Sequence, residues 1–220
     1  MLAFNATADT STTGLTTLRP VPMPGSGVLV SGLDLTDATS QARWSAHGSD
    51  GAQLWQGSRF GSVSSAPPAS DGARAMFGRV SMQVVRSFAD GTSAWAQDSG
   101  IGGSSTAFLV GPTGRVYQSH ANNLAQLNGL EERATSDGAS LWKKPGKHAD
   151  VVDASGRLYG WSGSSLEAYD PDGNVLWTLP LGAAIPITTP TADVRIVQAI
   201  GVGGRLYART DGANVCAYDP

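Results

Sequence analysis

The pattern Asp-Gly-x-x-x-Trp occurs four times in the chain, ending at Trp55, Trp95, Trp142 and Trp177. Each copy begins with an Asp-Gly pair, at Asp50-Gly51, Asp90-Gly91, Asp137-Gly138 and Asp172-Gly173. Asp-Gly is a strong hairpin signal, because glycine accepts the positive φ that a tight turn between strands demands. A tryptophan four residues past each glycine falls in the strand that leaves the turn. Four copies therefore predict four equivalent hairpins in one repeated unit.

The clearest copy is Leu166 to Trp177, reading LEAYDPDGNVLW. Apolar and aromatic residues precede an Asp-Pro-Asp-Gly turn, and Val175, Leu176 and Trp177 follow it with strand-forming character. Successive tryptophans lie 40, 47 and 35 residues apart, intervals that bracket the ~40–45 residues of a four-stranded propeller blade. The chain divides into units at approximately 1–19 (partial), 20–57, 58–97, 98–144, 145–179 and 180–220 (partial). Unit 145–179 shows the plan best, with short strands at Ala149 to Asp153, Arg157 to Trp161, Leu166 to Tyr169 and Asn174 to Thr178. In unit 98–144 the sequence predicts strands at Ala107 to Val110, Gly114 to Tyr117 and Leu124 to Leu127, with an insertion from Leu130 to Ser136. Leu2 to Asn5 resembles Leu166 to Asp170, and Gly14 is followed four residues later by Leu18, so residues 1–19 read as the second half of a unit.

The expected fold is all-β: a β-propeller of four-stranded antiparallel blades, about four complete with partial blades at both ends, forming a single domain or part of one. No window sustains the 3.6-residue amphipathic period of a long helix. The residue before each tryptophan is also apolar (Leu54, Ala94, Leu141, Leu176), which predicts strands buried on both faces, as blades between neighbours are. Trp55, Trp95, Trp142 and Trp177 are the expected docking residues between blades. A buried tryptophan removes ~150–250 Å² from water and contributes several kcal/mol at ~25 cal/mol per Å².

Composition narrows the function classes. Hydrophobic residues make up 40% of the chain, enough for a sizeable core and against disorder. Charged residues are 15%, with 28 glycines, against the ~25% charged typical of soluble domains, which suits a turn-rich β protein. A net charge of -3 gives no reason to expect nucleic acid or an anionic membrane surface as a partner. No apolar run approaches the ~18 residues of a membrane-spanning helix. A lone Cys216 rules out an internal disulfide and a cysteine-based zinc site. No signal peptide is visible at Met1 to Phe4, though a chain that opens inside a repeat weakens that sign.

The run Ala168 to Gly173 leading to Trp177, together with the Gly-Arg-Leu-Tyr and Gly-Arg-Val-Tyr strands, resembles the pyrroloquinoline-quinone-like β-propeller repeat. Its consensus is roughly A-x-D-x-x-T-G-x-x-x-W. Here the interval from Asp170 to Gly173 is one residue shorter and lacks the Thr, as in non-catalytic relatives that include the outer-membrane assembly lipoproteins. The sialidase-type Asp box is a near miss, because its Asp and Gly are separated and its aromatic falls one residue sooner. In the quinoprotein dehydrogenases the resemblance would imply eight blades, a bound quinone, an ion held by Glu, Asn and Asp, and usually adjacent cysteines. No residue of this chain matches those positions, so no catalytic, cofactor-binding or metal-binding residue is transferred and no cofactor is expected. The resemblance alone favours a periplasmic, cell-envelope or extracellular setting.

His47, His120 and His148 have no ligand spacing between them. Asp170-x-Asp172-Gly173 resembles a calcium loop faintly but lacks that loop's later acidic ligands. No serine sits in a G-x-S-x-G elbow. Arg115, Arg157 and Arg205 each follow a turn glycine, as solvated turn residues or as partners of turn aspartates in a neighbouring blade. In a propeller the Gly-Arg and Asp-Gly turns share one face, and the longer segments share the other. Binding residues concentrate on long loops carried by a rigid scaffold, so Arg59, Phe60, His120, Asn122, Asn123, Lys147 and His148 are the expected exposed, partner-contacting residues. The leading reading is a non-catalytic scaffold that binds a protein or peptide. The alternatives are part of a quinoprotein-like dehydrogenase, and a glycan-binding propeller motivated by Trp44 and Trp161 outside the repeated slot. With partial units at both ends, the chain is expected to form an open arc of a longer propeller that self-associates through its open blade edges.

Overall fold

A computed structural model of the chain describes residues 19–23, 25, 27–34, 41–60, 69–78, 82–98, 105–121, 129–162, 165–180, 197–200, 204–209 and 215–219. Expectations for Leu2 to Asn5, Gly14 and Leu18, and for Leu124 to Leu127, fall outside those residues.

The described residues form five antiparallel sheets, each a meander in chain order. The first contains β1 (Arg19–Pro22), β2 (Val28–Asp34), β3 (Gln41–His47) and β4 (Gln53–Phe60). The second contains β5 (Ala69–Ser70), β6 (Arg74–Gly78), β7 (Met82–Ser87) and β8 (Ser93–Asp98). The third contains β9 (Ser105–Val110), β10 (Val116–Ala121), β11 (Gly129–Arg133) and β12 (Ser140–Pro145). The fourth contains β13 (His148–Val152), β14 (Leu158–Ser162), β15 (Ser165–Tyr169) and β16 (Val175–Pro180). The fifth contains β17 (Val197–Ile200), β18 (Leu206–Arg209) and β19 (Val215–Tyr218). The all-β, repeated four-stranded architecture follows the Asp-Gly-x-x-x-Trp pattern, whose turn glycines Gly51, Gly91, Gly138 and Gly173 hold φ of 82°, 71°, 77° and 76°.

Sheets consecutive in the chain pack on one another through apolar clusters. Leu29, Trp44, Ala46 and Trp55 of the first sheet meet Ala75 and Phe88 of the second. Met76 and Trp95 meet Phe108 and Val116 of the third. Leu109, Tyr117 and Leu130 meet Ala149, Leu158 and Tyr169 of the fourth. Tyr159, Leu166 and Ala168 meet Leu206 and Ala208 of the fifth. The second, third and fourth sheets thus each contribute one face to the sheet before and the other to the sheet after.

Two expectations are corrected. The third strand of the third sheet is β11, Gly129–Arg133, which runs into the stretch Leu130 to Ser136 read as an insertion. Its register sets Glu131 opposite Gln118 and Glu132 opposite Trp142. Three consecutive charged residues suggest a solvated loop, yet here the sheet itself supplies their partners.

The second correction concerns Leu54, Ala94, Leu141 and Leu176. Leu54, Leu141 and Leu176 are 54%, 60% and 49% exposed, and Ala94 is exposed as well. Pairing explains it. Trp55 faces Ala46 while Gln53 faces His47; Trp95 and Ser93 face Val85 and Arg86; Trp142 and Ser140 face Glu132 and Arg133; Trp177 and Val175 face Ala168 and Tyr169. The residue before each tryptophan is therefore the extra residue of a β-bulge, left without a cross-strand partner on the outermost strand. Adjacent apolar residues do not signal two buried faces where a bulge intervenes.

Candidate functional site

Three of the four repeated tryptophans, Trp55, Trp95 and Trp142, end on a glycine of the following sheet. A Cβ added to Gly91 or Gly138 would stand 2.7 Å from the ring of Trp55 or Trp95, and one added to Gly173 would stand 2.8 Å from Trp142. Trp55 Nε1 also donates to the Phe88 carbonyl at 2.7 Å. At the next junction the corresponding carbonyl, Thr135, accepts instead from Arg74 Nη1 at 2.9 Å. Trp95 Nε1 is buried with no hydrogen-bond partner among the described residues. Trp177 is half-buried and packs on the cluster shared by the fourth and fifth sheets. Inside the third and fourth sheets the tryptophan reaches the tyrosine of the second strand: Tyr117 and Trp142 centroids are 6.1 Å apart, and those of Tyr159 and Trp177 are 6.2 Å apart.

Polar residues are buried mainly in the third and fourth sheets: Gln118, Ser119, His120, Glu131, Glu132, His148, Asp150 and Glu167. Gln118, His120 and Glu131 share the face turned towards the second sheet, because Gln118 and Glu131 are paired and His120 lies two residues along. Glu131 contacts His120 Nε2 and accepts from Arg133 Nη2 at 2.6 Å and from Ser140 Oγ at 3.0 Å. Burial works to raise its pKa, but the His120 hydrogen bond and charge, with Arg133, outweigh it and hold the carboxyl at about 2. Arg133 also donates to Gln118 Oε1 at 3.0 Å and to the Gly138 carbonyl at 2.8 Å. The Gln118 Nε2 group is buried with no partner among the described residues.

On the opposite face Glu132 accepts from Arg115 Nε at 2.8 Å, and Arg115 Nη2 reaches Asp172 of the fourth sheet at 2.8 Å. The Glu132 hydrogen bond is the main cause raising the guanidinium pKa. One of the two readings of the turn arginines is thus realised at Arg115, which bridges two sheets. Arg205 instead pairs with Asp219 of its own sheet at 2.6 Å. In the fourth sheet Glu167 accepts from Lys147 Nζ at 2.9 and 2.7 Å and from the Tyr169 hydroxyl at 2.8 Å. Burial, followed by Glu167, raises the Tyr169 pKa. The His148 ring stacks on Trp161 with centroids 4.1 Å apart and 16° between planes. Burial, and then His120, lower its pKa to about 4.

These positions change the reading of the expected contact residues. His120 and His148 are not exposed loop residues: they are 8% and 4% exposed, because β10 runs on to Ala121 and β13 begins at His148, so each is a strand residue covered by neighbouring sheets. Lys147 is half-buried and held by Glu167. Arg59 and Phe60 close β4, with side chains outside the described set, as are Asn122 and Asn123 altogether. Trp44 is 4% exposed, close enough to Gly57 that a Cβ there would stand 2.3 Å from the indole nitrogen. Trp161 is half-buried, with the His148 ring stacked on one face of its indole. The buried glutamates escaped sequence reading, since only register brings their partners together. Among the described residues no group of three or more His, Cys, Asp or Glu is placed to hold a metal ion, and no helix is long and apolar enough to cross a membrane.

Comparison with known proteins bears on the fold. No protein-family model matches the chain, and no curated protein does. Among solved structures, it is similar to BamB from Moraxella catarrhalis, at 15% identity and a TM-score of 0.60 over 91% of this chain. The chain spans 60% of that protein's length. A gluconolactonase, XC5397 from Xanthomonas campestris, is matched at 15% identity with a TM-score of 0.39, covering 76% of each chain. The BamB likeness bears out the fold, an all-β propeller built of four-stranded antiparallel sheets.

Proposed function

We propose that the chain is a non-catalytic propeller scaffold that binds a protein or peptide partner. The supporting observation is the set of apolar side chains left open on outer strands, Leu54 of the first sheet, Leu141 of the third and Val175, Leu176 and Leu179 of the fourth, each between 38% and 60% exposed. Val175, Leu176 and Leu179 lie together on β16, and neighbouring exposed apolar side chains suit protein contact. Glu131, Glu132 and Glu167, by contrast, have their oxygens engaged by Arg133, Arg115 and Lys147, which suits structural ion pairs more than acid–base chemistry. Arg59, Phe60, Asn122, Asn123 and Lys147 remain contact candidates within the same proposal. His120 and His148 would act from beneath, by fixing the strands that carry the loops. A cell-envelope setting goes with this reading and rests on the likeness to BamB.

Site-specific photo-crosslinking tests the reading. A benzophenone amino acid at Leu141 or Leu176, introduced in the native cell, is expected to give one discrete adduct. The same probe at Ser49, an exposed turn residue of the first sheet, is expected to give none. Equal or absent labelling at all three positions would count against a partner surface on the outer strands.

A further inference from the structure

Asp-Gly pairs occur at Asp50, Asp71, Asp90, Asp137, Asp172 and Asp211, the last outside the described residues. In such a pair the aspartate can close on its own backbone, because glycine carries no Cβ to shield the peptide nitrogen. The carboxyl group must turn until Cγ meets that nitrogen, so whatever holds the carboxylate governs the reaction. In most of these turns the turn itself holds it. Asp50, Asp90 and Asp137 each accept at Oδ1 from the backbone N–H two residues on, at 3.0, 2.9 and 3.0 Å. Asp71 accepts from the N–H groups of Ala73 and Arg74 and from the Arg74 guanidinium.

Asp172 differs. In its turn the N–H groups of Asp172 and Asn174 donate to Asp170 instead. The Asp172 side chain is 69% exposed, and its carboxylate is held from outside the turn, by Arg115 Nη2 of the third sheet at 2.8 Å. Arg115 is fixed on the buried Glu132, so Asp172 is the member of the pair that can leave. An exposed ion pair is weak and is screened by salt, unlike a bond closed within one turn. Gly91, Gly138 and Gly173 share the remaining restraints, an N–H donated to a carbonyl of the same turn and a tryptophan ring over the glycine. Asp90 and Asp137 are therefore the like-for-like comparison.

We propose that Asp172-Gly173 is a site of spontaneous succinimide formation and isoaspartate conversion, restrained by the Arg115 ion pair. The Gly173 nitrogen bonds to Asp172 Cγ, and its proton leaves with a carboxyl oxygen as water. Water then adds to the ring and breaks the bond from that nitrogen to the original main-chain carbonyl carbon. The backbone now runs through Cγ, nothing has been oxidised or reduced, and the mass is unchanged. The product inserts a main-chain methylene into the turn on which Trp142 and Lys144 pack, so it loosens the junction of the third and fourth sheets.

The folded 220-residue protein, incubated at neutral pH in heavy-oxygen water and then mapped by digestion, is expected to take up label at Asp172 about two- to fivefold faster than at Asp90 or Asp137, the factor an exposed ion pair can supply. Unfolded in urea, the three sites should label at similar rates. High salt should speed labelling at Asp172 alone, and so should Arg115→Met. The salt arm alters no residue, so it stands even if removing the partner of Glu132 disturbs the fold. Equal rates at the three sites in the folded protein overturn the proposal. So does the same excess at Asp172 in urea, which would trace it to neighbouring sequence, or a rate at Asp172 indifferent to both salt and Arg115.

Discussion

Gly91, Gly138 and Gly173 each meet two demands at once, a positive φ and the ring of a tryptophan from the preceding sheet. Gly146 meets only the first, with φ of 69° and open space where a Cβ would go. Gly173→Val is therefore expected to cost about 2–4 kcal/mol, combining backbone strain with a displaced indole. Gly146→Ala should cost about 1–2 kcal/mol from the backbone alone, and urea unfolding of both variants separates the terms. His148 supplies a pH test. Its folded pKa, about 4, lies below the ordinary 6.5, so the unfolded chain takes up that proton first. The stability involved is intact above about pH 6.5 and is lost as pH falls through 4. Glu131, held at about 2 against an ordinary 4.5, adds its own loss only below that ordinary value. His148→Phe, which keeps an aromatic ring on Trp161 but cannot be protonated, is expected to remain folded to lower pH than the parent. An unchanged midpoint in a tryptophan-fluorescence acid titration would refute this. The tryptophans and their glycines were legible in the sequence because one turn and one strand fix their spacing. Glu131 and Glu167 were not, because their partners lie across strands and only the register brings them near.

At the scale of the strand, the outer β4, β8, β12 and β16 each contain a bulge that separates the roles of two adjacent apolar residues. Trp55 is 9% exposed and Leu54 beside it is 54% exposed. Trp55→Ala is expected to destabilise by about 3–5 kcal/mol, and Leu54→Ser by no more than about 0.5 kcal/mol. Chemical denaturation of the two variants checks the contrast, and equal losses would contradict the bulge. Alternation of apolar and polar residues, the usual guide to strands, cannot reveal such an extra residue, so exposure at these positions was misjudged. Strand β11 was missed for a related reason. Its Glu-Glu-Arg run carries the charge density of a loop, and the cations that neutralise it come from neighbouring strands or from within the run. Strands β1 and β5, of four and two residues, are too short to announce themselves.

Among the described residues, packing joins consecutive sheets through a small apolar cluster at every junction, and through a tryptophan lying on a glycine at the first three. Stability in such an array is approximately a sum of intrinsic and nearest-neighbour terms. The overall repeat was legible because every unit restates it, whereas the bridge from Arg115 to Asp172, 57 residues away, was one of two readings until the sheets were in place. A succession of similar junctions has a mechanical meaning too. Pulled between its two ends in an optical trap, the protein should yield in steps, with one sheet detaching before the next bears the load. A sheet of roughly 40 residues at ~3.6 Å per residue releases about 14 nm of contour length, so a sawtooth of that spacing is the expected trace, and a single rip would show instead that tension is shared by all the sheets together.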